Sequence, residues 1–342
     1  MLVIKNYEKT REELLVDFDK ESFYEEWQMN EVWEVGFLVR ETKKNKVAFD
    51  LVEYESSVFF DGQEFIIKQM RHFAIGEAVY KAVVAPHIYF TIQDGYQYTK
   101  ITGRRTPQQL LAHAFSADTQ GFSWRLRGVY PSLDKENFGD ANCLRLIDDV
   151  LTDAEIALVA NNKHFEFLPK SDLGVKINEP IRFKHNTDDV VFEIDTYGLK
   201  TQIRGFGALK EGVDSDNPSN NDYVFSPITY TSPESARWGI RIQDPVRDER
   251  YHHADSMRER LVKELQDYPM VSGLVTLKWR TPINKGDFVP FIYEPLNINT
   301  YIQIVGMVSY PAQPERPPEI VLSNTKKTMT SILTDLARKG LI

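Results

Sequence analysis

Between Val32 and Val39 the apolar residues Trp33, Val35, Phe37 and Val39 alternate with Glu34, Gly36 and Leu38, the period of a strand with one buried face. The same reading predicts strands over Val47–Val52, Ser57–Phe60, Phe65–Met70, Val79–Val84 and His87–Ile92, with Pro86 breaking the last two and Asp61-Gly62 marking a hairpin turn. Short strands at this spacing imply a small barrel or sandwich.

At Thr106 the period becomes helical. Thr106 is placed to cap, Pro107 fits the first helical position, and Leu110, Leu111, Ala114 and Phe115 form an apolar stripe. Gly121 releases the chain into a strand carrying Phe122, Trp124 and Leu126, which Pro131 stops. A second such unit follows, with Asp140 or Asn142 as cap, Leu144, Ile147 and Leu151 as the stripe, and strands Ile156–Val159 and Phe165–Leu168 about an Asn161-Asn162 turn. Two helix-then-strand units packed together make an α+β insert.

Strands return at Ile181–Phe183, Val190–Ile194 and Thr201–Phe206, and the polar stretch Gly212–Asp222 reads as an exposed loop. Asp255 is expected to cap a helix with Met257, Leu261, Leu265 and Tyr268, which Pro269 ends. A third strand-rich group covers Val271–Trp279, Phe288–Tyr293, Tyr301–Tyr310 and Glu319–Leu322, and Leu333, Leu336 and Ala337 predict a terminal helix within Lys326–Gly340.

A chain of 342 residues is long enough for two or three domains. With 42% apolar and 27% charged residues it reads as folded, and its net charge of -9 supplies no global field to attract nucleic acid or anionic lipid. Lys43, Lys44 and Lys46 read as a solvated turn. The first fifteen residues lack a signal-peptide core, and no apolar run is long enough to span a membrane. The single Cys143 sits in the apolar pattern of a helix, so it reads as a packed thiol in a chain suited to a reducing cytoplasm.

No catalytic, cofactor-binding or metal-ligating residue is assigned. The histidines 72, 87, 113, 164, 185, 252 and 253 make no zinc spacing, and the adjacent His252-His253 pair is expected in an exposed helix lead-in. No GxSxG elbow occurs, and Gly205 and Gly207 lack the third glycine and lysine of a phosphate cradle. The carboxylates Asp148, Asp149, Asp153, Glu155, Asp188 and Asp189 read as solvated polar faces before they read as a glycosidase pair. Calcium ligation by the oxygens of Asp214, Asp216 and Asp222 fails the spacing of a metal loop. Trp27, Trp33 and Trp238 suit core packing better than stacking on sugar.

From Asn142 onward the chain resembles the prophage tail endopeptidase family, the amino-terminal hub region of tail-associated lysins. Four segments carry the resemblance: Asn142–Leu168 with the strands to Gly207, including the run Leu199 to Gly207; Tyr223–Gly239 with Ser226-Pro227, Ser232-Pro233 and Trp238-Gly239; the helix Asp255–Gln266 leading to Val271–Leu277; and Ile283–Val289 with Gly286-Asp287, followed by Tyr301–Val308 and Pro318–Leu322. The resemblance implies a β-rich α+β, multi-domain, baseplate hub-like fold with two small β-barrels and an inserted α+β domain. The first barrel is expected in 1–103, completed by strands near 188–212. The insert is expected in 104–187 with 213–270 contributing, and the second barrel with the terminal helix in 271–342.

The function implied is a structural phage tail protein, a homotrimeric ring below the tail tube at the tail tip. Its expected partners are its own copies, the distal tail protein and other baseplate or tail-tip proteins. Phage DNA is expected to pass through the ring without specific binding, and no membrane is involved. Lytic activity in longer relatives is implied to reside beyond the hub, and with the chain ending at Ile342 none is expected here. The alternatives are a cell-wall-degrading endopeptidase or glycosidase and a carbohydrate- or receptor-binding tail module.

Overall fold

The computed structural model describes residues 1–323 apart from 119, 211, 213–217, 268–269, 279–281 and 295–297. The chain divides into two compact units, one built from residues 1–190 and 274–322 and the other beginning at Val191 and leaving through Gly273. The fold is a β-rich α+β one, and no sheet among the described residues closes on itself.

The first unit is organised around a large antiparallel sheet in which Ile298–Ser309 pairs with Asp19–Gln28, then Val32–Arg40, Ala78–Pro86 and Gln69–Ile75. Glu319–Ser323 and Phe288–Tyr293 extend it on the other side of Ile298–Ser309. Strands from the two ends of the chain thus share one sheet, with Met307 opposite Trp27. A smaller sheet runs Glu12–Leu15, Leu2–Lys5, Ser57–Phe60, Gln63–Ile66, and between the two lies a core of Leu2, Ile4, Phe23, Val35, Phe37 and Phe65. The Asp61-Gly62 turn forms as expected, both residues having positive φ (48° and 76°), the geometry of a two-residue hairpin.

Two strand expectations fail here for identifiable reasons. Val47–Val52 falls in helix α1 (Lys46–Leu51). The buried Lys81 donates to the carbonyls of Phe49 (3.0 Å) and Val52 (2.7 Å), supplying at the helix C-terminus the donors and charge that a single sequence window cannot reveal. His87–Ile92 instead forms the cap and most of the 3-10 helix Ile88–Asp94, because the His87 ring accepts the Tyr89 N–H and caps it. The strands Leu2–Lys5, Glu12–Leu15 and Asp19–Gln28 are further elements that the alternation did not announce.

The helical insert follows. Helix α2 (Pro107–Ala114) starts with the expected Thr106 cap and Pro107, closed by a reciprocal box with Gln109. Helix α3 (Cys143–Asp153) is capped by Asn142, whose Oδ1 accepts the Arg145 N–H at 2.9 Å, while Asp140 sits in the preceding turn at φ 52°. The two helices pack with Ser123–Leu126, Ile156–Asn161 and His164–Pro169 around Phe122, Phe165 and Phe167. On α3 the buried side chains are Cys143, Leu146, Ile147, Val150 and Leu151, so the stripe is shifted from the predicted one and Leu144 lies at its margin.

In the second unit Gln202–Phe206 is the middle of a three-stranded sheet between Ile228–Thr231 and Val246–Arg247. Helix α4 (Ser235–Trp238) is a single turn. Helix α5 (Ala254–Glu264) packs Met257 and Leu261, with Leu265 beyond its end, on Ile203. Its cap position is His253, without a side-chain bond; Asp255, expected as the cap, lies in the first turn, where its charge complements the helix dipole. The expectations for Tyr268, Pro269, Trp279, the terminal helix, and Asp214 and Asp216 fall outside the described residues.

Candidate functional site

The first unit contains a joint at which strands, insert and a later loop are locked by polar side chains. Trp33 stacks flat on the fully buried His87, ring centres 4.0 Å apart. The indole donates to Glu25 Oε1 at 2.8 Å, and Lys285 reaches the same carboxylate at 2.5 Å while lying 4.6 Å above the indole. His87 Nδ1 accepts from Tyr89, so Nε2 donates to Gln63 Oε1 at 3.1 Å. Burial, and then the Lys285 charge, push His87 down to about 3, so the ring is neutral near pH 7.

Two asparagines fasten the insert. Asn30, at φ 62° in the hairpin after Asp19–Gln28, donates to the Ile156 carbonyl (2.7 Å) and accepts the Leu158 N–H (2.9 Å), replacing a missing strand with a side-chain amide. Asn162 does the same from the insert, donating to the Gly62 carbonyl (3.0 Å) and accepting the Glu64 N–H (2.7 Å). Further along, Asp287 accepts from the Val175 N–H (3.0 Å), and the buried Gln303 amide reaches the carbonyls of Lys170, Leu173 and Gly286. Gly286 has φ +85°, and a Cβ at Gly174 would lie 2.3 Å from the Gly286 carbonyl, so only glycines allow this backbone approach. The result is a rigid joint with a cleft of about 140 Å³ between Trp27, Trp33, Tyr89, Leu158, Leu173 and Lys285.

On the outer face of the large sheet, Tyr24, Leu38, Ala82 and Val84 are half-exposed around a groove of about 450 Å³. The Tyr24 ring lies across Gly36 in the neighbouring strand, where a Cβ would sit 2.2 Å from it. Its hydroxyl donates to Glu34 at 3.0 Å. Burial raises Glu34 above the usual carboxylate range, and Glu26 opposite it adds to the effect. Beside the groove, Gln69–Ile75 ends the sheet among the described residues, with no strand of theirs on its outer edge and with Ile75 exposed.

The residues weighed for chemistry are dispersed. Cys143 is fully buried, its thiol raised by burial and 3.4 Å from the Ala114 carbonyl, a packed position. Asp148 and Asp149 are exposed neighbours on α3; crowding of its carboxyl by the chain, then Asp149, pushes Asp148 up to about 6. Asp153 pairs with Lys135 at 2.6 Å, Glu155 occupies a left-handed turn, and Asp188 and Asp189 lie in the strand Thr187–Asp195. Trp27 is buried, and Trp238 carries the Arg237 guanidinium 4.3 Å above it. His252 and His253 are exposed before α5. Gly205 and Gly207 serve packing: a Cβ on them would strike Met257 and Phe225 respectively.

One pairing the sequence did not suggest is Ser123 Oγ with His164 Nδ1, 2.9 Å apart across two parallel strands. Nothing among the described residues hydrogen-bonds the other imidazole nitrogen, so the third member of a nucleophile triad is missing. Among the described residues no three His, Cys, Asp or Glu side chains converge as metal ligands, and no helix is long and apolar enough to cross a membrane.

The described residues thus combine a sheet shared by strands from early and late in the chain with a clamped helical insert. Residues 2–87, 94–167 and 175–333 match, in that order, the N-terminal domain, a further domain and the tail region of the prophage endopeptidase tail family. The crystal structure of a prophage tail protein from Listeria monocytogenes is 45% identical, covers 98% of each chain and superposes with a TM-score of 0.73. The chain belongs to the prophage endopeptidase tail family and is a prophage tail protein. Two more distant folds are a 43 kDa prophage tail protein from Shewanella oneidensis (11% identity, 96% and 99% covered, TM-score 0.64) and a tail protein from Neisseria meningitidis (11%, 96% and 97%, 0.63). No curated protein matches the chain in sequence.

Proposed function

We propose that this protein is the hub of the tail tip, three copies forming a ring below the tail tube, and that it carries no peptidase of its own. Barrel-type lobes, the first in 1–103 completed by strands near 188–212 and the second in 271–342, face neighbouring copies in this reading, and the α+β insert 104–187 interrupts the first. The observation that carries it is the partly apolar groove at Tyr24, Leu38, Ala82 and Val84, rimmed by Ser22, Gln69 and Arg71, beside the sheet's last strand Gln69–Ile75. An antiparallel sheet normally turns polar side chains to water, so a face and edge of this kind call for a neighbouring subunit. The ring adjoins the distal tail protein and other tail-tip proteins and is made in the host cytoplasm. Phage DNA passes it without specific binding, which the acidic balance favours.

Light scattering on the purified chain tests the ring. Wild type is expected as a trimer and Leu38→Glu/Val84→Glu as a monomer; a wild-type monomer at micromolar concentration removes the ring. Clearing of purified cell walls that Ser123→Ala abolishes would restore the endopeptidase reading. One observation favours a second reading, sugar binding: Tyr98 is 79% exposed beside Tyr96, whose hydroxyl bonds the Asp140 carboxylate paired to Lys100.

A further inference from the structure

The sheet of the second unit has two unlike faces. Ile203 is fully buried beneath α5, and Gly205 leaves room for Met257 and Leu261 there. The opposite face presents Gln202, Arg204 and Phe206, the exposed Thr229 and Thr231 of one flanking strand and the exposed Arg247 of the other. Both guanidiniums lie on the same ring, Arg204 at 5.1 Å and Arg247 at 4.1 Å from the Phe206 centroid.

Among the described residues neither cation pairs with a carboxylate. Arg204 donates to the Asn220 side-chain carbonyl at 3.1 Å and Arg247 to the Tyr223 hydroxyl at 3.4 Å, both neutral acceptors. The Arg204 Nε is shut off from water without any acceptor. A buried donor left unmade costs roughly 1–3 kcal/mol, and more when charged. Two like charges sharing one ring, met among the described residues only by neutral acceptors, can take part in a charge-assisted contact with an added carboxylate.

We propose that Arg204 and Arg247, set on either side of the Phe206 contact, bind a carboxylate-bearing segment of an adjoining tail protein. The proposal rests on the tail-assembly reading and names the chemistry of one partner in it. A peptide carboxylate suits the site better than a nucleic-acid backbone, because a chain of net charge -9 repels a polyanion at long range while two local guanidiniums suffice for one or two carboxylates.

Calorimetric titration of the full-length chain with a capped peptide carrying two glutamates, at about 50 mM salt so that screening is weak, tests it. Saturable binding is expected, weakened about tenfold or more by R204Q/R247Q and unchanged by R237Q, whose guanidinium covers Trp238. The single R247Q, at an exposed strand end, serves if circular dichroism shows the double variant misfolded. No binding by wild type, equal binding by the variants, or inorganic phosphate or duplex DNA binding as tightly as the peptide would each overturn the proposal. Light scattering on the same samples separates its failure from that of the ring: loss of peptide binding with an intact trimer leaves only the ring standing apart from this contact.

Discussion

The insert and the second unit, although each pairs helices with a three-stranded sheet, are held together in different ways. The insert surrounds Phe165 and Phe167 with a continuous apolar core drawn from both helices and all three strands. The second unit has only Ile203, Met257, Leu261 and Leu265 fully buried in its core cluster, and turns charged and aromatic side chains to its other face. In the insert burial does most of the work, with the Asn30 and Asn162 clamps and the Thr106 cap added to it; in the second unit the buried cluster is small and the other face stays polar.

Phe165→Ala should have the largest effect, since the ring is fully buried against Tyr89, Phe115, Phe122 and Phe167; a loss of about 3–5 kcal/mol is expected in denaturant unfolding. Leu261→Ala should cost about 2–5 kcal/mol but locally, hydrogen exchange accelerating in α5 and Gln202–Phe206 while the insert stays protected. Equal acceleration in both regions would erase the contrast.

The joint beside the insert adds a pH signature. His87 has its pKa lowered on folding, so its contribution is intact above the unfolded value near 6.5 and is lost as pH falls toward about 3. Between pH 7.5 and pH 5 this amounts to about 2 kcal/mol, checked by Tm against pH in wild type and His87→Gln. The smallest effect expected is that of Asn162→Gly, which keeps the left-handed turn and removes the amide clamp: about 1 kcal/mol, with faster exchange at the Glu64 amide. An unchanged Glu64 amide would mean that the clamp does not secure the insert.

The local elements of the insert were legible because their signals are contained in a few neighbouring residues. Thr106, Pro107 and Gln109 start a helix by their own bonds, and the Asn161-Asn162 and Asp61-Gly62 turns need only their own backbone preferences. The candidate assembly face was legible only in part. Alternation marked the strands around Val35 and Val83 but did not distinguish a face covered by this chain from one left for another.

Sequence by itself therefore determined the family, the β-rich character, the Thr106 and Asn142 helix starts and the packed fate of Cys143. The tertiary structure alone decided that Val47–Val52 coils into α1, since the donors that end that helix come from Lys81 in another strand. It alone paired Asp19–Gln28 with Ile298–Ser309, brought Ser123 to His164, and set Arg204 and Arg247 on one ring. Each of these depends on groups remote along the chain, and a local pattern carries no information about which distant partner arrives or fails to arrive.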